Sequence, residues 1–87
     1  MQLTEAVQQR ITDICNEQNI TLNKLSKKAN LTFSTVYTIF YEKNSSPKLS
    51  TIQHICEGLN IDLSIFFNDP MFERKNLEKR SWIYEKR

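Results

Sequence analysis

Residues 21–40 read TLNKLSKKANLTFSTVYTIF, and this stretch decides the fold. Its apolar residues recur three and four positions apart, which is the spacing of helices with one buried face. Thr21 can cap a helix over residues 22–29, and Thr32 can cap a helix over residues 33–41. Asn30 lies between them and tolerates the left-handed backbone that many helix exits require. The stretch therefore predicts two short helices joined by a tight turn.

The side chains of these two helices predict how they pack together. Ser26 is small enough to lie where the helices cross, and the apolar residues expected to hold them at a fixed angle are Leu25, Ala29, Leu31, Val36 and Ile39. The residues of the second helix expected to point outward are Phe33, Ser34, Thr35, Tyr37, Thr38 and Tyr41. Two short helices joined in this way form a helix-turn-helix motif. In that motif the second helix lies in the major groove of DNA.

The rest of the sequence predicts three further helices and no strand, over residues 3–18, 49–58 and 62–67. Asn60 would end the second of these helices, and Asp62 would cap the third. The face expected to be buried consists of Leu3, Val7, Ile11, Ile14 and Gln18 in the first helix, and of Leu49, Ile52, Ile55, Cys56 and Leu59 in the second. The pattern is that of an all-α domain.

The composition is that of one soluble domain, with 39% hydrophobic and 25% charged residues in 87. No apolar run is long enough to span a membrane, and the N-terminus has no signal-peptide pattern, so a cytoplasmic location is expected. Cys15 and Cys56 lie on apolar helix faces and are interpreted as reduced core thiols, while His54 is expected at the surface.

The same composition argues against catalysis and against a bound cofactor or metal. A single glycine leaves no phosphate-binding loop. One histidine and two scattered cysteines make neither a metal site nor an exposed Cys–His pair. We therefore expect a binding protein that needs no cofactor.

The charges are unevenly distributed along the chain. Residues 22–48 carry five lysines and one glutamate, whereas residues 1–21 and 49–69 together carry one arginine and six acidic residues. Residues 70–87 are basic again, with six lysines and arginines against three glutamates. A basic middle between acidic segments is typical of a protein that turns one side toward double-stranded DNA.

Three pieces of the sequence, in the right order, resemble the lambda-repressor/Cro-like (XRE) helix-turn-helix family. Residues 21–39 resemble its helix-turn-helix, residues 47–59 its fourth helix and residues 61–67 its closing turn and helix. The matching residues are Thr21, Leu25, Ser26, Leu31, Thr32, Ser34, Thr35, Val36, Ile39, Pro47, Leu49, Thr51, Ile52, Ile55, Cys56, Leu59, Ile61, Asp62, Leu63, Ser64, Phe66 and Phe67. The resemblance covers about residues 3–68.

The resemblance implies a five-helix, lambda-repressor-like bundle with the helix-turn-helix at its second and third helices. It divides the chain into a DNA-binding domain, residues 1–69, and a C-terminal extension, residues 70–87. It also implies a bacterial or phage transcriptional regulator, and we expect a repressor that acts by occluding a promoter. The alternative is an antitoxin or protein-interaction module on the same fold.

The sequence departs from the family pattern at several positions. Asn30 and Asn60 stand where the family often has glycine. Leu22 replaces a glutamine that holds a phosphate in the family. Phe40 replaces a glutamate that pairs with an arginine of the first helix.

By resemblance, the residues that would contact bases are Phe33, Ser34, Thr35 and Thr38. Those that would contact phosphates are Asn23, Tyr37, Tyr41, Lys43, Asn44, Ser45 and Ser46. None of the four base-contacting residues can make a two-point hydrogen bond to guanine or adenine, whereas phenylalanine and threonine methyls can contact the thymine methyl. We therefore expect a preference for thymine-containing sites and for DNA shape.

The extension carries apolar residues that a purely solvated tail has no reason to keep: Phe72, Leu77, Trp82, Ile83 and Tyr84. Three arrangements remain open for residues 71–87. They can fold onto the domain, pair two subunits into a homodimer, or stay as a basic tail along the DNA backbone. Pairing is slightly favoured, because helix-turn-helix proteins usually bind two half-sites as dimers.

Overall fold

The computed structural model describes residues 1–42 and 46–78, and these residues form an all-α fold without strands. Its elements are α1 (Leu3–Gln18), α2 (Leu22–Lys28), α3 (Phe33–Tyr41), α4 (Leu49–Leu59) and α5 (Leu63–Phe66), followed by 3₁₀ turns at Pro70–Phe72 and Arg74–Asn76. The five predicted helices are confirmed, and their ends differ from the predicted ones by no more than one residue.

The two threonine caps are present as predicted. The Thr21 hydroxyl accepts a hydrogen bond from the backbone N–H of Lys24 at 3.1 Å, and the Thr32 hydroxyl accepts one from that of Thr35 at 3.2 Å. Asp62 stands at the start of α5, but its side chain makes no cap hydrogen bond. The prediction that Asp62 caps α5 is therefore wrong in its contact, although α5 does begin after it.

An asparagine follows the C-terminal end of each of three helices, α1, α2 and α4. Asn30 and Asn60 adopt the left-handed backbone expected of them, with φ of 57° and 60°. Asn19, at the end of α1, does the same with φ of 59°. Glycine is the usual residue at such positions. Asparagine can replace it because its short polar side chain tolerates the left-handed backbone conformation.

The core is formed by the inner faces of α1 to α5, with α2 packed closely against both α3 and α4. Phe66 of α5 is fully buried, and the other apolar core residues are Ala6, Val7, Ile11, Ile14, Cys15, Leu25, Ala29, Val36, Ile39, Ile52, Ile55, Cys56 and Leu59. Phe40 is half-buried against this core. These residues hold α3 against the rest of the domain.

Three residues predicted to lie on buried faces are exposed: Gln18, the last residue of α1, and the leucines that begin α1 and α4. Leu49 is 80% exposed and Leu3 is 56% exposed. Each is the first residue of its helix, at the edge of the apolar stripe. The spacing of apolar residues predicts which face of a helix is buried. It does not predict how much of the helix length is covered by its neighbours.

Gly58 lies where α4 meets the end of α2. A Cβ atom at this position would come within 2.7 Å of the backbone nitrogen of Ala29 and within 2.9 Å of its Cα. Backbone atoms cannot move aside as a flexible side chain can, so the close contact between α2 and α4 requires glycine.

Polar side chains of α1 bind the C-terminal ends of three other helices. Gln8 donates to the carbonyl of Ile39 at 2.7 Å, and Gln18 donates to that of Leu59 at 2.7 Å. Arg10 donates to the carbonyls of Phe66 and Ile65 at 2.7 and 2.8 Å. Carbonyls in the last turn of a helix lack the N–H groups that a further turn would supply, so α1 provides hydrogen bonds at these helix ends. The Ile65 carbonyl also accepts from the backbone N–H of Asn68 at 3.2 Å.

Both cysteines are buried and unpaired, as predicted. Burial raises the pKa of the Cys15 thiol. It also raises the pKa of the Cys56 thiol to about 11, an effect that the charge of Arg10 opposes in part. Both groups are therefore neutral core side chains at physiological pH.

The start of the extension is packed against the domain. The Phe72 ring lies 5.0 Å from the Phe67 ring and 6.1 Å from the Phe66 ring, centre to centre. The backbone N–H of Glu78 donates to the Met1 carbonyl at 2.9 Å, and the terminal amino group donates to the Asn76 carbonyl at 3.1 Å. Trp82, Ile83 and Tyr84 lie outside the described residues.

Candidate nucleic-acid interface

The turn between α2 and α3 is held by hydrogen bonds as well as by the core. The backbone N–H of Leu31 donates to the Ser26 carbonyl at 2.9 Å, and the Ser26 hydroxyl donates to the Asn23 carbonyl at 2.7 Å. Ser26 is buried, as its small size predicts. With Val36 and Ile39 also buried, α3 has a fixed orientation and one free face.

Three aromatic rings occupy the free face of α3. Phe33, Tyr37 and Tyr41 are 45%, 48% and 64% exposed. Their ring centres lie 6.0 Å apart from Phe33 to Tyr37 and 4.4 Å apart from Tyr37 to Tyr41. We call these three residues the aromatic row. Phe33 is predicted to point outward, and the structure leaves almost half of its side chain accessible.

The hydroxyl groups of α3 are partly engaged within the helix. Thr38 donates to the Ser34 carbonyl at 2.8 Å, and the hydroxyls of Thr35 and Thr32 are hydrogen-bonded to each other at 2.9 Å. Thr35 and Thr38 are half-buried, whereas Ser34 is exposed. The four residues predicted to contact bases thus lie on one helix, with Phe33 and Ser34 the more accessible pair.

The residues predicted to contact phosphates divide into two groups. Asn23, Tyr37, Tyr41 and Ser46 are exposed. The other three, Lys43, Asn44 and Ser45, lie outside the described residues. The arrangement of the exposed members around α3 is compatible with their assigned role, which stays a prediction.

An open cleft of about 540 Å³ lies between α3 and the start of α4. Its walls include Thr35 and Thr38 from α3 and Lys48, Ser50 and His54 from the other side. Sequence reasoning assigned no role to these last three residues. The sequence does contain a feature that could have identified two of them. Ser50 and His54 lie one helical turn apart on the polar side of α4, away from its buried residues.

The positive charges of this region are carried by the elements beside α3. Lys24, Lys27 and Lys28 of α2 are exposed, as is Lys48 before α4. No residue of α3 itself is charged. The region therefore presents an uncharged helix next to accessible lysines.

The described residues contain no group of three or more His, Cys, Asp or Glu side chains that could hold a metal ion. None of the helices in residues 1–42 and 46–78 is long and apolar enough to cross a membrane.

The family model that matches the chain is that of the Cro/C1-type HTH DNA-binding domain, over residues 10–66. This range contains α2, the turn, α3 and the cleft beside them. The chain belongs to the Cro/C1-type helix-turn-helix family. Its predicted relation to the lambda-repressor/Cro-like family is thereby confirmed.

A solved structure shares the fold of this Cro/C1-type protein. The crystal structure of the prophage Lp1 protein 11 matches it with a TM-score of 0.76 and 29% sequence identity, over 85% of this chain and 99% of that one. A search of curated proteins finds no match. The Cro/C1-type domain makes the chain a DNA-binding regulatory protein.

Proposed function

We propose that this Cro/C1-type protein represses transcription by placing α3 in the major groove of promoter DNA. The observation that carries the proposal is the uncharged, exposed face of α3, held in a fixed orientation beside accessible lysines. Bound at a promoter, a domain of this size excludes polymerase by occupying the same DNA, so repression requires no catalysis.

Sequence preference would come from Phe33, Ser34, Thr35 and Thr38. Serine and threonine hydroxyls can bond to several bases, and apolar side chains contact the thymine methyl. Because two of the three hydroxyls already have partners within the helix, direct hydrogen-bond readout would be weak. DNA shape would supply part of the preference.

Affinity would come from phosphate contacts, which position a protein on DNA without reading sequence. We assign this role to Asn23, Tyr37, Tyr41, Lys43, Asn44, Ser45 and Ser46, and add Lys48, which borders the cleft beside α3.

The exposed aromatic row also supports a second function, as an antitoxin or protein-interaction module. Tyrosine and phenylalanine are enriched in protein interfaces. A protein partner would use the same face of α3, so the two functions predict different partners for one surface.

Salt dependence separates the two functions. We expect the affinity for a random-sequence 30-base-pair duplex to fall as KCl rises, with a log–log slope of about −0.9 for each phosphate neutralised and several units in all. The measurement is fluorescence anisotropy at several KCl concentrations. A flat slope, or no binding at low salt, would contradict DNA binding and favour the protein-interaction module.

Paired variants test the assigned roles. Lys43→Ala should weaken binding to all sequences and reduce the slope by about one unit. Lys75→Ala removes the same charge from the 3₁₀ turn at Arg74–Asn76 and should not. Ser34→Ala and Thr38→Ala should reduce preference for a selected site, whereas Ser64→Ala, an exposed serine on α5, should leave it unchanged.

A further inference from the structure

We propose that the aromatic row of α3 recognises the C5-methyl groups of pyrimidines in the DNA major groove. The protein would then distinguish thymine from uracil, and 5-methylcytosine from cytosine, by contact with the methyl group itself. This inference rests on the proposed docking of α3 in the groove. It names the chemical group that the free face of α3 reads.

The dimensions of the aromatic row fit such a target. From Phe33 to Tyr41 the helix rises about 12 Å at ~1.5 Å per residue. That length lies beside three or four nucleotides at ~3.4 Å each along one strand. The rings form one continuous surface, with centres 6.0 and 4.4 Å apart. Such a surface can cover methyl groups on neighbouring base pairs.

Two of the three serine and threonine hydroxyls of α3 already have hydrogen-bond partners. The Thr38 hydroxyl donates to the Ser34 carbonyl, and the Thr35 and Thr32 hydroxyls bond to each other. The free face carries no guanidinium and no carboxamide. The phenol hydroxyls of Tyr37 and Tyr41 are the groups assigned to phosphates, which leaves the rings themselves for apolar contact. In the major groove the thymine methyl is the one apolar group that distinguishes a base pair. Apolar contact is therefore the specific interaction that the aromatic row is best suited to make.

The surrounding charges favour DNA over a protein as the occupant of the row. α3 is uncharged, whereas Lys24, Lys27 and Lys28 on α2 and Lys48 before α4 are exposed. The aromatic row with lysines beside it complements the major groove, whose floor carries methyl groups and whose edges carry phosphates. A protein target would need a matching acidic border around its own apolar surface.

The test uses the full chain and two forms of one duplex. A site is selected from random DNA, and each thymine in it is replaced in turn by deoxyuridine, which removes the methyl group and nothing else. We expect a loss of about fourfold at each contacted position, the change that corresponds to ~0.8 kcal/mol for one buried CH₂ group. Where a cytosine is placed at such a position, 5-methylcytosine should bind better than cytosine by a similar factor.

Variants assign the effect to the row. Phe33→Ala and Tyr37→Ser should abolish the methyl discrimination while salt-dependent binding remains. Tyr37→Phe, which keeps the ring, should retain it. Leu63→Ala is the matched control because Leu63 is exposed to a similar extent, 42%, on α5. Circular dichroism establishes that each variant is folded.

Three results would overturn the inference. If the protein binds DNA with the expected salt slope but tolerates deoxyuridine at every position, methyl recognition is wrong and DNA binding stands. If discrimination persists in both Phe33→Ala and Tyr37→Ser, the aromatic row is not the reader. If no DNA is bound at low salt, the inference fails together with the proposed function.

Discussion

Gly58 shows how a single residue determines the distance between two helices. The contact of α4 with the backbone of Ala29 leaves no room for a side chain. The sequence offered no reason to single out this glycine, which lies within a predicted helix. Its role depends on the contact between α2 and α4, where the backbone of Ala29 leaves no space for a Cβ atom.

Replacing Gly58 by alanine should lower the free energy of unfolding by about 1–3 kcal/mol, the usual cost of overpacking a core. Alanine favours helix formation by ~0.8–1.0 kcal/mol over glycine, so steric conflict must exceed this gain. Urea denaturation measures the effect, with Gln53→Ala at an exposed position of the same helix as the control. A Gly58→Ala variant as stable as the parent would show that the helices separate easily.

Arg10 binds backbone carbonyls of α5 and lies close to a carboxylate outside α3. By resemblance to the family, Phe40 replaces a glutamate that would pair with an arginine of the first helix. Here the guanidinium binds the carbonyls of Ile65 and Phe66 and lies 3.6 Å from the Asp69 carboxylate. The two carbonyls lie 55 and 56 positions away in the sequence, so the partners of Arg10 depend on the tertiary fold.

At the scale of the helix, the beginnings and ends follow from local chemistry. Thr21 and Thr32 bond to backbone groups three residues later, and three asparagines turn the chain in the left-handed region. Such contacts involve close neighbours in sequence, so residue types alone predicted most of them. Asp62 is the exception, because its side chain lacks the cap hydrogen bond.

The caps differ in what they contribute, and this is testable. Thr32→Ala should lower the free energy of unfolding by about 1 kcal/mol, because it removes the acceptor for the Thr35 N–H. It should also weaken DNA binding, since Thr32 begins the helix that carries the aromatic row. Asp62→Ala is the control and should cost less, because no cap hydrogen bond is lost. Equal losses in thermal denaturation would contradict the distinction.

At the scale of the whole molecule, the chain after Pro70 takes part in the packing of the domain. Phe72 lies against Phe66 and Phe67, and the backbone near Glu78 is tied to Met1. Of the arrangements considered for residues 71–87, the one in which they fold onto the domain is observed for residues 71–78. Pairing of subunits through this segment stays a prediction.

Two truncations separate packing from pairing. Removing residues 71–87 should lower the free energy of unfolding by about 1–2 kcal/mol, because the half-buried Phe72 is lost. Removing residues 79–87 leaves that contact and should not. Sedimentation equilibrium then measures the mass of each chain. If the full chain is a dimer and the chain without residues 79–87 is a monomer, residues 79–87 pair the subunits. If all three chains are monomers with equal affinity for DNA, the extension neither pairs subunits nor assists binding.

The sequence by itself determined the five helices, the helix-turn-helix and the outward position of Phe33, Tyr37 and Tyr41. These follow from apolar spacing and from caps, which depend on interactions between residues one to four positions apart. Its prediction of which residues touch DNA remains to be tested by the variants above.

The tertiary structure alone decided how the helices meet. It exposed Leu3 and Leu49, required Gly58 beside Ala29, and used α1 to bind the ends of α3, α4 and α5. It also brought Thr38 and His54 to the walls of one cleft. These relations join residues distant in the chain, so no local pattern records them. They depend on which backbone groups and apolar surfaces remain unsatisfied once the helices have formed.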